Sequence, residues 1–83
     1  MSEFPHVERV MASLRAYIHT SFGVVLDDAD QPWKDTAMNS MQFVYLAFFM
    51  EEQYGFVATD ALMDRMTTLR TMADVVAEYG VVR

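Results

Sequence analysis

Asp35-Thr36-Ala37-Met38-Asn39-Ser40-Met41-Gln42-Phe43-Val44-Tyr45-Leu46-Ala47-Phe48-Phe49-Met50 is where the chain commits itself. A short polar segment ends in Asn39-Ser40, and an apolar run without Pro or Gly continues to Tyr54. Asn and Ser both cap helices well, because a short side-chain oxygen accepts from the free amides of the first turn. Gly55 supplies a stop. The pattern predicts a helix over 40–54, with Ser40 at its start and its hydroxyl near solvent.

At about 100° per residue this helix has two apolar sides. Phe43, Leu46, Ala47, Met50 and Tyr54 share one; Met41, Val44, Tyr45 and Phe48 share the other, with Glu51 and Glu52 at its far end. A surface helix ordinarily has one apolar stripe. Either the helix is sandwiched within its own protein, or the second side meets another one. That second side runs away from Ser40.

Upstream, residues 6–22 carry a clean helical stripe: Val7, Val10, Met11, Leu14, Tyr17, Ile18 and Phe22. Glu8, Arg9, Ser13, Arg15 and His19 face away. Pro5 suits the first turn, Ser2 or a neighbour caps it, and Gly23 ends it. Residues 23–38 form a long connection. Val24-Val25-Leu26 anchors it to the core, and Asp27-Asp28-Ala29-Asp30 reads as a solvated acidic turn, lacking the Gly and distal Glu of a calcium loop. Trp33 either packs this loop on the helices or lines an acyl pocket.

Downstream, Thr59 or Asp60 caps a short helix over 60–66 that points Leu62, Met63 and Met66 inward. Thr68 caps a last helix over 69–79, with Leu69, Met72, Ala73, Val76 and Tyr79 as its stripe and Gly80 as its end. Strand signals are nearly absent. The expectation is an all-α four-helix bundle, three helices long and one short, with antiparallel packing and a long first loop.

Composition narrows the function. At 83 residues the chain is one domain, with little room for a catalytic cavity and its supporting shell. Twelve acidic and six basic residues give a net charge of -6. Nucleic acid and anionic membranes, which need clustered Lys and Arg, are disfavoured partners. A basic protein partner fits on steering grounds, and plain solubilisation fits equally. There is no cysteine, hence no disulfide, thiolate or Cys-based metal site. No run approaches the ~20 apolar residues of a membrane span, and no signal peptide is read, which is compatible with the cytoplasm. Met1 fits a stand-alone protein; an excised domain reads the same way. His6 and His19 lack companions at metal-ligand spacing.

Residues Asp35 to Tyr54 resemble the signature of the acyl and peptidyl carrier proteins, which hold 4′-phosphopantetheine on a serine. The family core reads Asp-Leu-Gly-(Ala/Gly)-(Asp/His)-Ser-Leu, then an apolar helix ending in Glu-Glu and an aromatic. Asp35, Ser40, Glu51-Glu52 and Tyr54 occupy the matching positions, and Met66-Thr67-Thr68-Leu69 resembles the Ile-Thr-Thr-Val that precedes the family's last helix. Thr36, Ala37, Asn39 and Met41 depart from the pattern, as do Gln42 and Tyr45, where many fatty-acid carriers have acids.

The resemblance implies a non-catalytic carrier with covalent phosphopantetheine on Ser40 and a docking face of Met41, Val44, Tyr45, Phe48, Glu51 and Glu52. Its implied partners are a phosphopantetheinyl transferase, an acyl-loading ligase or acyltransferase, and the condensing or tailoring enzymes of one pathway, served by a monomer. The departures point to polyketide or nonribosomal-peptide-type assembly over fatty-acid synthesis. From the residues alone, the reading of Asn39 or Ser40 as a simple helix cap prevails, and the rivals for the domain are an unmodified interaction module and a dimerisation module. Met38, Met50, Met63, Met66 and Met72 either fill the core or line an acyl space. A small hydrolase finds no activating partner for Ser40.

Overall fold

The structure, a computed structural model, describes residues 5–81. Four α-helices follow one another: α1 (Pro5–Phe22), α2 (Ser40–Tyr54), α3 (Asp60–Arg65) and α4 (Leu69–Tyr79). A single 3-10 turn, Trp33–Asp35, interrupts the long first loop. No strand occurs among the described residues, and none of their helices is long and apolar enough to cross a membrane. The radius of gyration, 11.7 Å, matches the ~12 Å expected of one packed domain of this length. The expected Ser2 cap of α1 lies outside the described residues.

Local chemistry explains the helix ends. Thr59 caps α3 by accepting from the Leu62 amide, and Thr68 caps α4 by accepting from the Thr71 amide. The Thr71 hydroxyl oxygen accepts in turn from the Thr68 amide, so the Thr68 and Thr71 amides are both satisfied. Gly55 ends α2 at φ 68, a left-handed conformation that a β-carbon disfavours. Gly80 ends α4 for a different reason. A β-carbon there would stand 2.8 Å from the Val76 carbonyl oxygen and 2.9 Å from the Tyr54 β-carbon. The close approach lets the Val81 amide donate to the Tyr54 carbonyl at 2.7 Å, tying the ends of α2 and α4 together.

One core joins all the elements. Val10, Leu14 and Ile18 of α1 meet Leu46 and Met50 of α2 and Leu69, Met72 and Val76 of α4, every one essentially inaccessible. Removing such side chains from water is the main source of stability, at about 1.5–3 kcal/mol each. Tyr17 of α1 stacks on Phe49 of α2 with ring centroids 4.0 Å apart.

Two details differ from expectation. Tyr79 is exposed, and Val75 is buried in its place. Both α1 and α3 pack on α4, so the buried arc is set by two neighbours and is wider than one stripe. Tyr79 instead turns toward Arg65 of α3, whose guanidinium carbon lies 5.8 Å from its ring centre. In the first loop Val24 and Leu26 are buried but Val25 is exposed, as extended backbone alternates its sides.

The acidic turn is partly engaged. Asp30 accepts from Arg70 Nε at 2.7 Å, and the Arg70 amide donates to the Ala29 carbonyl at 2.9 Å. The hydrogen bond and charge of Asp30 raise the Arg70 guanidinium above its ordinary value. These contacts pin the first loop to the start of α4.

Candidate functional site

The backbone leading into α2 is held by a relay of hydrogen bonds. The Trp33 amide donates to the Thr67 carbonyl at 3.0 Å, which fixes the 3-10 turn against the α3–α4 junction. The Thr36 hydroxyl donates to the Trp33 carbonyl at 2.6 Å and accepts from the Met38 amide at 3.2 Å. One residue later the helix begins. Asn39 Oδ1 accepts from the Gln42 amide at 2.8 Å, and Gln42 Oε1 accepts from the Asn39 amide at 3.1 Å. This reciprocal pair resolves the ambiguity at Asn39-Ser40: Asn39 is the cap.

Ser40 is therefore the first helical residue and takes no part in capping. It is exposed, and its hydroxyl makes no hydrogen bond to another described residue. The amides of Ser40 and Met41 likewise find no acceptor among the described residues, as is usual in the first turn of a helix. The site thus has a free hydroxyl beside two free N–H groups at the positive end of a helix.

The two sides of α2 are used differently. Leu46, Ala47, Met50 and Tyr54 are buried and Phe43 is half-buried. Met41, Val44, Tyr45 and Phe48 are 61%, 41%, 50% and 60% exposed. They recur at the i, i+3, i+4, i+7 spacing of one helix side, so the second apolar strip is open and begins next to Ser40. Neither the long loop nor α3 covers it.

The two glutamates part company. Glu51 is half-buried, and its Oε2 accepts from the Ala58 amide at 2.7 Å, which fastens the α2–α3 loop. Glu52 is exposed and borders a cavity of about 580 Å³ with Arg9 and Ser13 of α1, at the far end of α2 from Ser40. The larger cavity is thus remote from the hydroxyl.

A second cleft, of about 400 Å³, does reach it. Trp33, Lys34, Met38, Phe43 and Val44 line it together with Asn39 and Ser40. The Trp33 and Phe43 rings meet edge to face, 5.9 Å apart at 69°. Trp33 packs the loop against the core and also borders this cleft. Its Nε1 is enclosed and finds no acceptor. Met50, Met66 and Met72 fill the core outright, while Met38 borders the cleft.

The cleft was not legible as a unit. Its walls come from a loop turn and a helix start whose approach depends on the distant Thr67 carbonyl. Among the described residues no three His, Asp or Glu side chains gather as a metal set. No protein-family model matches this chain, and neither curated proteins nor solved structures give a significant match.

Proposed function

We propose that this protein is an acyl or peptidyl carrier, bearing 4′-phosphopantetheine on Ser40 and delivering thioester-bound intermediates to partner enzymes. The observation that carries the reading is the division of labour at the start of α2. Asn39 does the capping, and the adjacent Ser40 hydroxyl is left open to an incoming transferase. The order of helices, long, long, short and medium with an extended first loop, is the order found in the carrier family, and supports the same reading.

The residues fit the group. A phosphodiester on Ser40 would lie beside the two free amides, where the helix dipole favours negative charge by about 0.3–1 kcal/mol. That is enough to make attachment comfortable but too little to drive it, so a separate transferase would install the arm from coenzyme A. When attached, the arm supplies a thiol that holds a carboxylic acid as a thioester.

The chain itself makes no bond. It raises the effective concentration of its cargo at each enzyme in turn, and must then let go. The open strip Met41, Val44, Tyr45 and Phe48 is the docking face, small and apolar, as a brief encounter needs. Glu52 adds rim charge, whereas Glu51 holds its own loop. With Gln42 and Tyr45 where fatty-acid carriers place acids, docking rests on shape and apolar area. This favours a specialised assembly pathway of polyketide or nonribosomal-peptide type, with a dedicated loading enzyme and condensing or tailoring partners in the cytoplasm.

The same strip also favours a second reading, an unmodified interaction or dimerisation module. Intact mass after co-expression with a broad-specificity phosphopantetheinyl transferase separates the two. The carrier gains one phosphopantetheinyl group, and Ser40→Ala gains none. Folded wild-type protein of unchanged mass would refute the carrier reading. Sedimentation as a concentration-independent monomer removes the dimer.

A further inference from the structure

Any substituent on the Ser40 oxygen begins its path beside the cleft that Ser40 helps to line. Resting on the carrier reading above, we infer that this cleft seats the first segment of the arm, the branched hydroxy-amide unit that follows the phosphodiester. Two features of the cleft suit the start of the arm: its apolar lining and its one cation.

The walls are apolar and crossed by two rings, Trp33 and Phe43, with Met38 and Val44 beside them. A carbon bearing two methyl groups fills such a corner and removes apolar surface from water. Lys34 is the one cation among the lining residues, placed in the cleft that opens beside Ser40. It offsets the phosphodiester anion.

The volume is adequate. At about 400 Å³ the cleft falls in the lower part of the ~300–1,000 Å³ range of small-molecule clefts. Such a seat shortens the sweep of the arm. It leaves the far half to reach a partner docked on the adjoining strip, which also starts at Val44 and Met41.

Trp33 is the single tryptophan of the chain, so its fluorescence reports on this cleft alone. The unmodified protein, the protein loaded with the bare arm, and the same protein carrying an acetyl thioester are compared, with loading verified by intact mass. Loading the bare arm is expected to shift Trp33 emission to shorter wavelength and to lower its quenching by acrylamide. Met38→Glu, outside the docking strip, places a carboxylate among the lining residues; it is expected to load fully and to lose the shift. Lys34→Glu, outside the docking strip, serves the same purpose.

No gain of mass in folded protein overturns the carrier reading and this inference with it. A gain of mass with unchanged Trp33 emission and quenching overturns the inference alone. So does a shift that survives both substitutions, or one that appears only with the acyl group present, which would make the cargo the occupant.

Discussion

If Asn39 caps α2 and Ser40 is spare, the two residues must respond in opposite ways to truncation. Asn39→Ala deletes the acceptor of the Gln42 amide, 2.8 Å away, and frees the Gln42 side chain that answers it at 3.1 Å. Loss of an N-cap of this kind costs about 0.5–2 kcal/mol. With the reciprocal bond also lost, the upper half of that range applies, about 1–2 kcal/mol. In a domain of 83 residues each kcal/mol lowers Tm by roughly 4–8 °C. Asn39→Ala should therefore melt about 4–16 °C below wild type, and Asn39→Asp, which keeps the acceptor, should recover most of the loss. Ser40→Ala removes a hydroxyl that bonds to nothing described. It places a better helix former at the first helical position, and its effect should stay within about 0.5 kcal/mol. Thermal unfolding followed by far-ultraviolet circular dichroism measures both. Equal losses for the two variants, or a larger one for Ser40→Ala, would refute the assignment of the cap, and the spare hydroxyl with it. The same samples carry a functional control: Asn39→Ala retains its target serine and gains the arm, while Ser40→Ala cannot.

Phe48→Asp, at a side chain 60% exposed, should leave Tm unchanged while lowering kcat/KM for acyl loading or transfer by about tenfold, the ~1.4 kcal/mol of one good interface contact. An equal rate would remove Phe48 from the docking face. Gly80→Ala should cost about 1–3 kcal/mol in chemical denaturation, because its β-carbon would press on the Val76 carbonyl oxygen and Tyr54 Cβ, neither of which is a flexible side-chain end. A neutral result would mean that the α2 and α4 ends can part freely. A double-mutant cycle on Asp30 and Arg70 should give only a small coupling that shrinks in high salt, since both side chains are about half exposed.

The three longer helices were legible because their information is local. Val7 to Phe22 repeats at helical spacing, and Asn39, Gly55, Thr68 and Gly80 mark ends that the structure places within a residue of expectation. What escaped the sequence is set at a distance. The 3-10 turn at Trp33 depends on the Thr67 carbonyl, 34 positions away in the chain by their numbers. Val75 and Tyr79 exchanged roles because α4 is packed from two directions. Glu51 left the docking rim because the Ala58 amide needed an acceptor where the α2–α3 loop folds back. Whether Asn39 or Ser40 capped α2 could not be settled by residue type, since both are good caps. Gln42, three residues on from Asn39, was the discriminating signal: it completes a capping box with Asn39 and stands only two residues beyond Ser40.

In the proposed reading, the exposed strip gives the hydroxyl its significance. Four large apolar side chains, Met41, Val44, Tyr45 and Phe48, lie open along one side of a helix whose other side already completes the core. Their exposure does nothing for folding and works against solubility, which the net charge of -6 helps to maintain. A serine that only began a helix would not account for that arrangement. A serine at the edge of a landing surface would, because an enzyme seated on the strip finds the hydroxyl at its end. The surrounding structure also holds that hydroxyl still. The Thr36 relay and the Asn39–Gln42 box fix the backbone on both sides of it, and the Trp33 turn is tied to the start of α4. If the protein is the carrier proposed, docking then requires little ordering of its own chain, so a small apolar contact suffices for recognition and is still weak enough to release.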